Sequence, residues 1–394
     1  MNEPSLDSLP QSLASWRRYS STEGSPLPWQ LWDKLKPWLT EKGYHPWEVA
    51  GDMLNAFPPR AHSGIRSPDG FVYSLPHIPM NEVWFSAIKA IHWPARTSDH
   101  RDVVIRLIRK GDEGQEHLEV LRTLAKGERA FHAGNRCVPL LEELHLGDMT
   151  FAVFPFLADR VDSPWFYDFG EVFDFLIQAL EGISYLHENL VAHLDIDIDN
   201  FLFNFASAKR CTGTITSIRT FRVLMRRIAE FRKRETFRSH FPVRYYLADM
   251  ELCVRFAPES EPALRKVVGL PVTRVGIDPS KYGRDLVPEM AISEPYCPFR
   301  ADMWQFGNMM HYMFQPSAGL LPELYALVDA LKCPDPAGRP TAAQALERVR
   351  LLRAQTPAGV MSEQVPFALE IDDGNGRSSL CIPTITNEML GLCL

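Results

Sequence analysis

The sequence predicts an α+β fold, and three stretches predict it. Val103 to Ile108 is a β-branched run of strand type. Leu118, Leu121 and Leu124 then share one helical face, and Val172, Leu176, Leu180, Ile183 and Leu186, at four- and three-residue steps, mark the buried face of a longer helix. With 394 residues and 45% apolar content, the chain can bury one large core or two smaller ones.

Taken in order, residues 1–27 are rich in Ser and Pro and read as poorly ordered. From Pro28, Trp29, Trp32, Leu35, Trp38 and Leu39 recur at helical spacing until Gly43, with Pro37 predicting a kink or two short helices. A helix packed on its own domain is favoured over a docking site for another protein. Short apolar runs between Phe71 and Trp93 are consistent with strands. After the strand at 103–108 come a helix over about 115–126 and two strands, about 140–146 and 150–156, joined by Gly147-Asp148. The helix through Leu186 leads into a polar loop, and the chain then returns to a strand at 201–205. A further strand is expected around Tyr245-Tyr-Leu-Ala-Asp249.

Charge is unevenly spread. The net charge of −7 argues against general nucleic-acid binding, yet residues 209–244 hold eleven Lys or Arg and two acids, leaving −16 for the rest. Within that segment Phe221, Leu224, Ile228 and Phe231 interleave with arginines, which predicts an amphipathic cationic helix. A solvated helix packed by one face is the plainer reading; a docking site for an anionic partner, membrane surface or nucleic acid, is the other. The seven cysteines are scattered and never in C-x-x-C spacing, so reduced thiols are expected rather than a disulfide framework or zinc site. No run of eighteen apolar residues occurs, and the acidic start lacks an apolar leader. A protein without a transmembrane segment, acting in cytoplasm or nucleus, is the expectation.

The loop His193-Leu194-Asp195-Ile196-Asp197-Ile198-Asp199-Asn200 concentrates the chemistry. Carboxylates this close repel one another unless a cation or a substrate proton sits among them. A site and a solvated turn are both open on the loop alone. The pattern resembles the catalytic loop of eukaryotic protein kinases, His-Arg-Asp followed five residues after the Asp by Asn. Three later motifs are similar to the same family in the same order. Leu286-Val287-Pro288-Glu289 resembles its Ala-Pro-Glu, Asp302-Met303-Trp304-Gln305-Phe306-Gly307 its Asp-x-Trp-x-x-Gly, and Gly338-Arg339-Pro340-Thr341 a helix start with Thr341 as N-cap. The N-terminal Trp/Leu helix ending in Gly43-Tyr44 also resembles divergent kinase-like proteins of fungi.

The resemblance implies a two-lobed fold. A β-rich small lobe spans 66–157 and a helical large lobe 158–355; the N-terminal extension covers 1–65, the basic insertion about 206–243 and a loosely held tail 356–394. It implies Asp195 as the base that takes the proton of a protein Ser or Thr hydroxyl, and Asn200 and Asp249 as magnesium ligands beside ATP. Arg106 stands at the strand-lysine position, Phe154 at the gatekeeper, and Phe156 in the hinge of Pro155 to Ala158. A buried Glu289–Arg339 ion pair is implied as scaffold.

Several positions depart from that pattern. No glycine lies between Phe71 and Lys110, so the phosphate-cradling loop is missing in recognisable form. The helix partner of the strand lysine, usually Glu, aligns with His117. Asp197 replaces a lysine and Glu251 a glycine, each adding a carboxylate that repels a nucleotide or recruits a further cation. A divergent protein kinase using Mg²⁺ and ATP is therefore expected, with a pseudokinase scaffold that binds protein partners as the alternative and a small-molecule phosphotransferase as a third reading.

Overall fold

The computed structural model describes residues 6–17, 27–49, 55–59, 70–72, 85–86, 89–158, 161, 165–205, 237–291, 293–372 and 377–382. Within them the chain mixes α and β structure. A short helix α1 (Leu13–Trp16) is followed by α2 (Pro28–Glu41) and the strands β1 (Tyr44–Pro46), β2 (Glu48–Val49), β3 (Asn55–Phe57), β4 (Phe85–Ser86), β5 (His92–Thr97) and β6 (Asp102–Lys110). Next come α3 (Gln115–Leu124), β7 (Glu142–Leu146) and β8 (Met149–Pro155). Five of these strands form an antiparallel sheet in the order β1-β5-β6-β8-β7. Burial alternates along β6 from Val103 to Leu107, since successive side chains face opposite sides of the sheet, and the alternation breaks at the irregularity between Leu107 and Arg109.

The N-terminal helices cover one face of that sheet. Trp32 stacks on Trp93 and meets Phe151 edge-on, with centroids 6.3 and 5.9 Å away, while its Nε1 donates to Ala90 O at 2.8 Å. The Trp/Leu stripe is thus spent on the protein's own core. Two expectations are corrected here. Residues 6–17 are organised rather than loose, because Leu13 and Trp16 are buried in the same core and Ser12 caps α1. Of the kink or two short helices expected at Pro37, the second is overturned: α2 is one helix running through Pro37, with six other positions of the helix burying their side chains.

The second large core gathers around α4 (Phe169–Glu188), capped by Asp168, whose Oδ1 accepts from Glu171 N at 3.0 Å. Val172, Leu176, Leu180, Ile183 and Leu186 are all fully buried, as their spacing predicts. After α4 come β9 (Val191–Ala192), β10 (Phe201–Phe203), β11 (Tyr245–Leu247), β12 (Val254–Arg255) and α5 (Pro271–Arg274). The later helices are α6 (Pro298–Phe314), α7 (Pro322–Leu331), α8 (Ala342–Gln355) and α9 (Ala358–Met361). Side chains of α6, α7 and α8 join the α4 core. Thr341 caps α8 with a full capping box. The tail, expected to be loosely held, carries α9 and a hairpin of β13 (Phe367–Asp372) and β14 (Arg377–Ile382).

Two short antiparallel ladders frame the polar loop. β9 pairs with β12, and β10 pairs with β11 in the register Phe201↔Leu247. This second pairing sets Asn200 beside Ala248, whose N–H donates to Asn200 O at 2.8 Å. Two positions 48 residues apart in the chain are thereby brought side by side.

Candidate functional site

The loop after β9 is fixed from below by α6. Asp302, fully buried, accepts from His193 N and Leu194 N at 2.7 Å each, and from His187 Nε2 at 2.9 Å. Gln305, one helical turn on, accepts from Ile196 N at 3.1 Å and donates to Leu194 O at 3.2 Å and Tyr282 Oη at 2.7 Å. These bonds hold Leu194 at φ 63°, a left-handed conformation with no local side-chain hydrogen bond to favour it. His193 Nε2 donates to Ala248 O at 2.9 Å and its Nδ1 accepts from Asp195 N at 3.2 Å, which fixes one neutral tautomer.

Asp195 is held at both oxygens. Asn200 Nδ2 donates to Asp195 Oδ2 at 2.8 Å and to Asp195 O at 2.7 Å, while Arg284 Nε donates to Oδ1 at 2.9 Å. Burial raises the Asp195 carboxyl above its ordinary value, with Arg284 opposing. Arg284 also reaches Asp197 at 3.3 Å and Asp199 at 3.7 Å, so one guanidinium faces three carboxylates.

Beside the loop lies a cavity of about 260 Å³. Val104, Leu121, Phe154, Leu202 and Leu247 contribute apolar wall, and Arg106, His117, Asn200 and Asp249 make a polar end. Of the residues singled out in the sequence, Arg106, Phe154, Phe156, Asn200 and Asp249 line this one space. Asp195 does not, and connects to it through Asn200.

Asp249 follows β11 in a left-handed conformation, φ 59°. Arg106 Nη2 lies 3.0 Å from Asp249 Oδ1 and 3.2 Å from Glu251 Oε2. The first contact is an ion pair out of line for a hydrogen bond, so Asp249 Oδ1 and Arg106 Nε are buried without a hydrogen-bond partner among the described residues. Burial works against ionisation of Asp249, but the Arg106 guanidinium outweighs it and holds its carboxyl well below the usual range. His117, on α3 where the resemblance aligns a glutamate, is 7% exposed, and burial together with Arg106 pushes its imidazole down to about 3.

Glu251 is in turn bound by Arg17, whose Nε donates to Oε1 at 2.8 Å with a second contact from Nη2. Both extra carboxylates that the sequence exposes have therefore recruited a cation, Arg284 for Asp197 and Arg17 for Glu251. Neither arginine was singled out from the sequence. Lying 87 and 234 residues from their partners, they carry no local signature. The buried pair joining Arg339 to Glu289 is present, with Nη1–Oε1 at 2.5 Å and Nη2–Oε2 at 2.8 Å.

The oxygen donors at the polar end suit a hard cation. Asp249 Oδ1 accepts no hydrogen bond among the described residues, though Arg106 is ion-paired to it, and Asn200, whose Nδ2 is turned to Asp195, carries an amide oxygen beside it in the cavity lining. Among the described residues no group of three or more His, Cys, Asp or Glu is arranged to hold a metal. The expected basic helix over 219–234, and most of the Phe71–Trp93 stretch, lie outside the described residues. No helix of the described residues is long and apolar enough to cross a membrane. No protein-family model matches the chain, and no curated protein matches it.

Proposed function

We propose that this chain is a divergent phosphotransferase of the two-lobed protein-kinase type, which takes Mg-ATP in the cavity and transfers the γ-phosphoryl group to a Ser or Thr hydroxyl of a protein. The observation that carries the reading is the junction at Asn200: its amide binds Asp195, its backbone oxygen binds Ala248 N, and it shares the cavity with Asp249. A loop carrying Asp195 and Asn200 is thereby joined to Asp249, 49 residues further on, and this supports a site where hydroxyl, metal and phosphate would meet. In this reading the sheet with α2 and α3 is the small lobe and the core around α4 the large one.

Asp195, oriented by Asn200 and Arg284, accepts the proton of the attacking hydroxyl. Asn200 and Asp249 are the residues that would hold a magnesium ion, which would supply charge neutralisation at the phosphoryl oxygens. Val104, Phe154 and Leu202 take the base. At about 260 Å³ the cavity is below the roughly 300–1,000 Å³ of typical small-molecule sites, so it suits a base or nucleoside, and Asn200 and Asp249 at its polar end are the residues the phosphates would meet. Free Cys137, Cys253, Cys297 and Cys333 support work in a reducing, intracellular compartment. An anionic partner at 209–244 remains part of the proposal on sequence grounds alone.

A second reading, a non-catalytic kinase-like scaffold, is favoured by one observation. Arg106, the residue that should hold phosphate, is engaged by Asp249 and Glu251. Phosphotransfer from labelled ATP to a mixed protein substrate separates the two. Wild type should label protein, and Asp195→Asn should lose about 100-fold or more, the usual contribution of a positioned base. Equal labelling by both proteins removes the enzymatic reading.

A further inference from the structure

We propose that Arg17 is a positioning residue for the anion-binding end of the cavity, holding Arg106 in place through Glu251, so that the N-terminal segment is a working part of the site. The inference deepens the nucleotide reading above and rests on it for the identity of the ligand.

Four charged side chains form a chain of contacts: Arg17 to Glu251 at 2.8 Å, Glu251 to Arg106 at 3.2 Å, and Arg106 to Asp249 at 3.0 Å. Arg17, Glu251 and Arg106 expose only 11%, 14% and 16% of their side chains, so water screens these three charges weakly, while Asp249 is 35% exposed and screened more. The group is neutral as it stands, two guanidinium ions against two carboxylates. Without Arg17 it carries one uncompensated negative charge, and Glu251 draws Arg106 away from Asp249 and from any incoming phosphate.

The arginine is delivered by a rigid mount. Trp16 is fully buried, meets Trp32 edge-on at 6.3 Å and donates from Nε1 to Pro10 O at 3.1 Å. Leu13 N donates to Glu113 Oε2 at 2.9 Å, tying α1 to the turn between β6 and α3. Arg17 Nη1 also reaches Val275 O, 3.4 Å away, just after α5. The side chain thus joins the N-terminal segment to the segment beyond Asp249, and through Glu251 to Arg106. A surface arginine serving solubility alone has no use for this anchoring. Because Glu251 stands between Arg17 and the cavity, Arg17 acts on the ligand only through it.

The test is calorimetric titration of the full chain with Mg-ATP, and separately with inorganic tripolyphosphate, which presents phosphates without a base. Arg17→Ala should weaken both by about tenfold, the effect of one uncompensated charge several ångströms away in a partly screened site. Arg17→Lys, which keeps the charge and loses the fork, should fall between. Removing the stranded charge in Arg17→Ala/Glu251→Gln should restore affinity to that of Glu251→Gln alone. A purely structural role for Arg17 gives no such rescue, and an unrescued double variant, or an Arg17→Ala protein that binds like wild type, overturns the proposal. If wild type binds neither probe, the nucleotide reading falls and the relay is judged on melting temperatures alone. The shifts of Arg17→Ala and Asp249→Asn should then be non-additive in the double variant; additive shifts overturn the relay.

Discussion

His117 shows how one buried side chain ties the site to pH. Its imidazole is pushed down to about 3, first by burial and then by Arg106, whereas in the unfolded chain it titrates near 6.5. Between those two values the unfolded state binds a proton that the folded state refuses, so stability falls as pH drops through this window. His117→Gln should remove a slope of up to about 1.4 kcal/mol per pH unit between pH 6 and 4, read from urea unfolding at several pH values. An unchanged slope would show that the imidazole is not neutral in the fold. Much of the residue scale could be read from the sequence wherever chemistry is carried by local spacing. Asp195 and Asn200 sit five apart, and Asp249 is picked out by the strand before it. The arginines that balance Asp197 and Glu251 could not be read, since an ion pair between distant segments leaves the sequence around either partner unremarkable. The sequence left open whether these two carboxylates repel a nucleotide or recruit a further cation; the fold shows an arginine beside each.

Among the elements, α6 does most to shape the site. Asp302 accepts two backbone N–H groups of the loop and Gln305 a third, while Leu194 between them is held left-handed. Asp302→Ala leaves two buried donors without partners and frees a strained residue, so it should cost about 2–5 kcal/mol of unfolding free energy. Chemical denaturation measures it, and a loss under about 1 kcal/mol would mean the loop is held by something else. The sequence marks α6 by its Asp-x-Trp-x-x-Gly resemblance, but as scaffold without chemistry, and the bonds to the loop show how that scaffold reaches the candidate base. Long elements were the readable ones. The faces of α3 and α4 follow the 3.6-residue period, whereas β9, β10 and β12, two or three residues long, exist only through pairing across the fold. Residues 6–17 were misjudged for a related reason: a four-residue helix has no period to detect, and its order comes from Leu13 and Trp16 entering a core made elsewhere.

At the scale of the whole molecule, two apolar cores meet at a cavity whose wall is apolar and whose far end carries opposed charges. One core is built on the antiparallel sheet and the other on α4. The polar end is crowded with ion pairs, and in the function proposed above a polyphosphate and its metal enter it, so that affinity would depend on how readily Arg106 exchanges Asp249 for phosphate. That exchange is the central claim, and it is measured most directly by calorimetric titration with Mg-ATP of wild type against Leu202→Trp, which fills the apolar wall, and Arg106→Ala, which removes the exchanging cation. The account predicts saturable one-to-one binding by wild type, and at least about tenfold weaker binding by each variant, equivalent to 1.4 kcal/mol or more. Binding indifferent to both substitutions, or none by wild type at millimolar nucleotide, would contradict it.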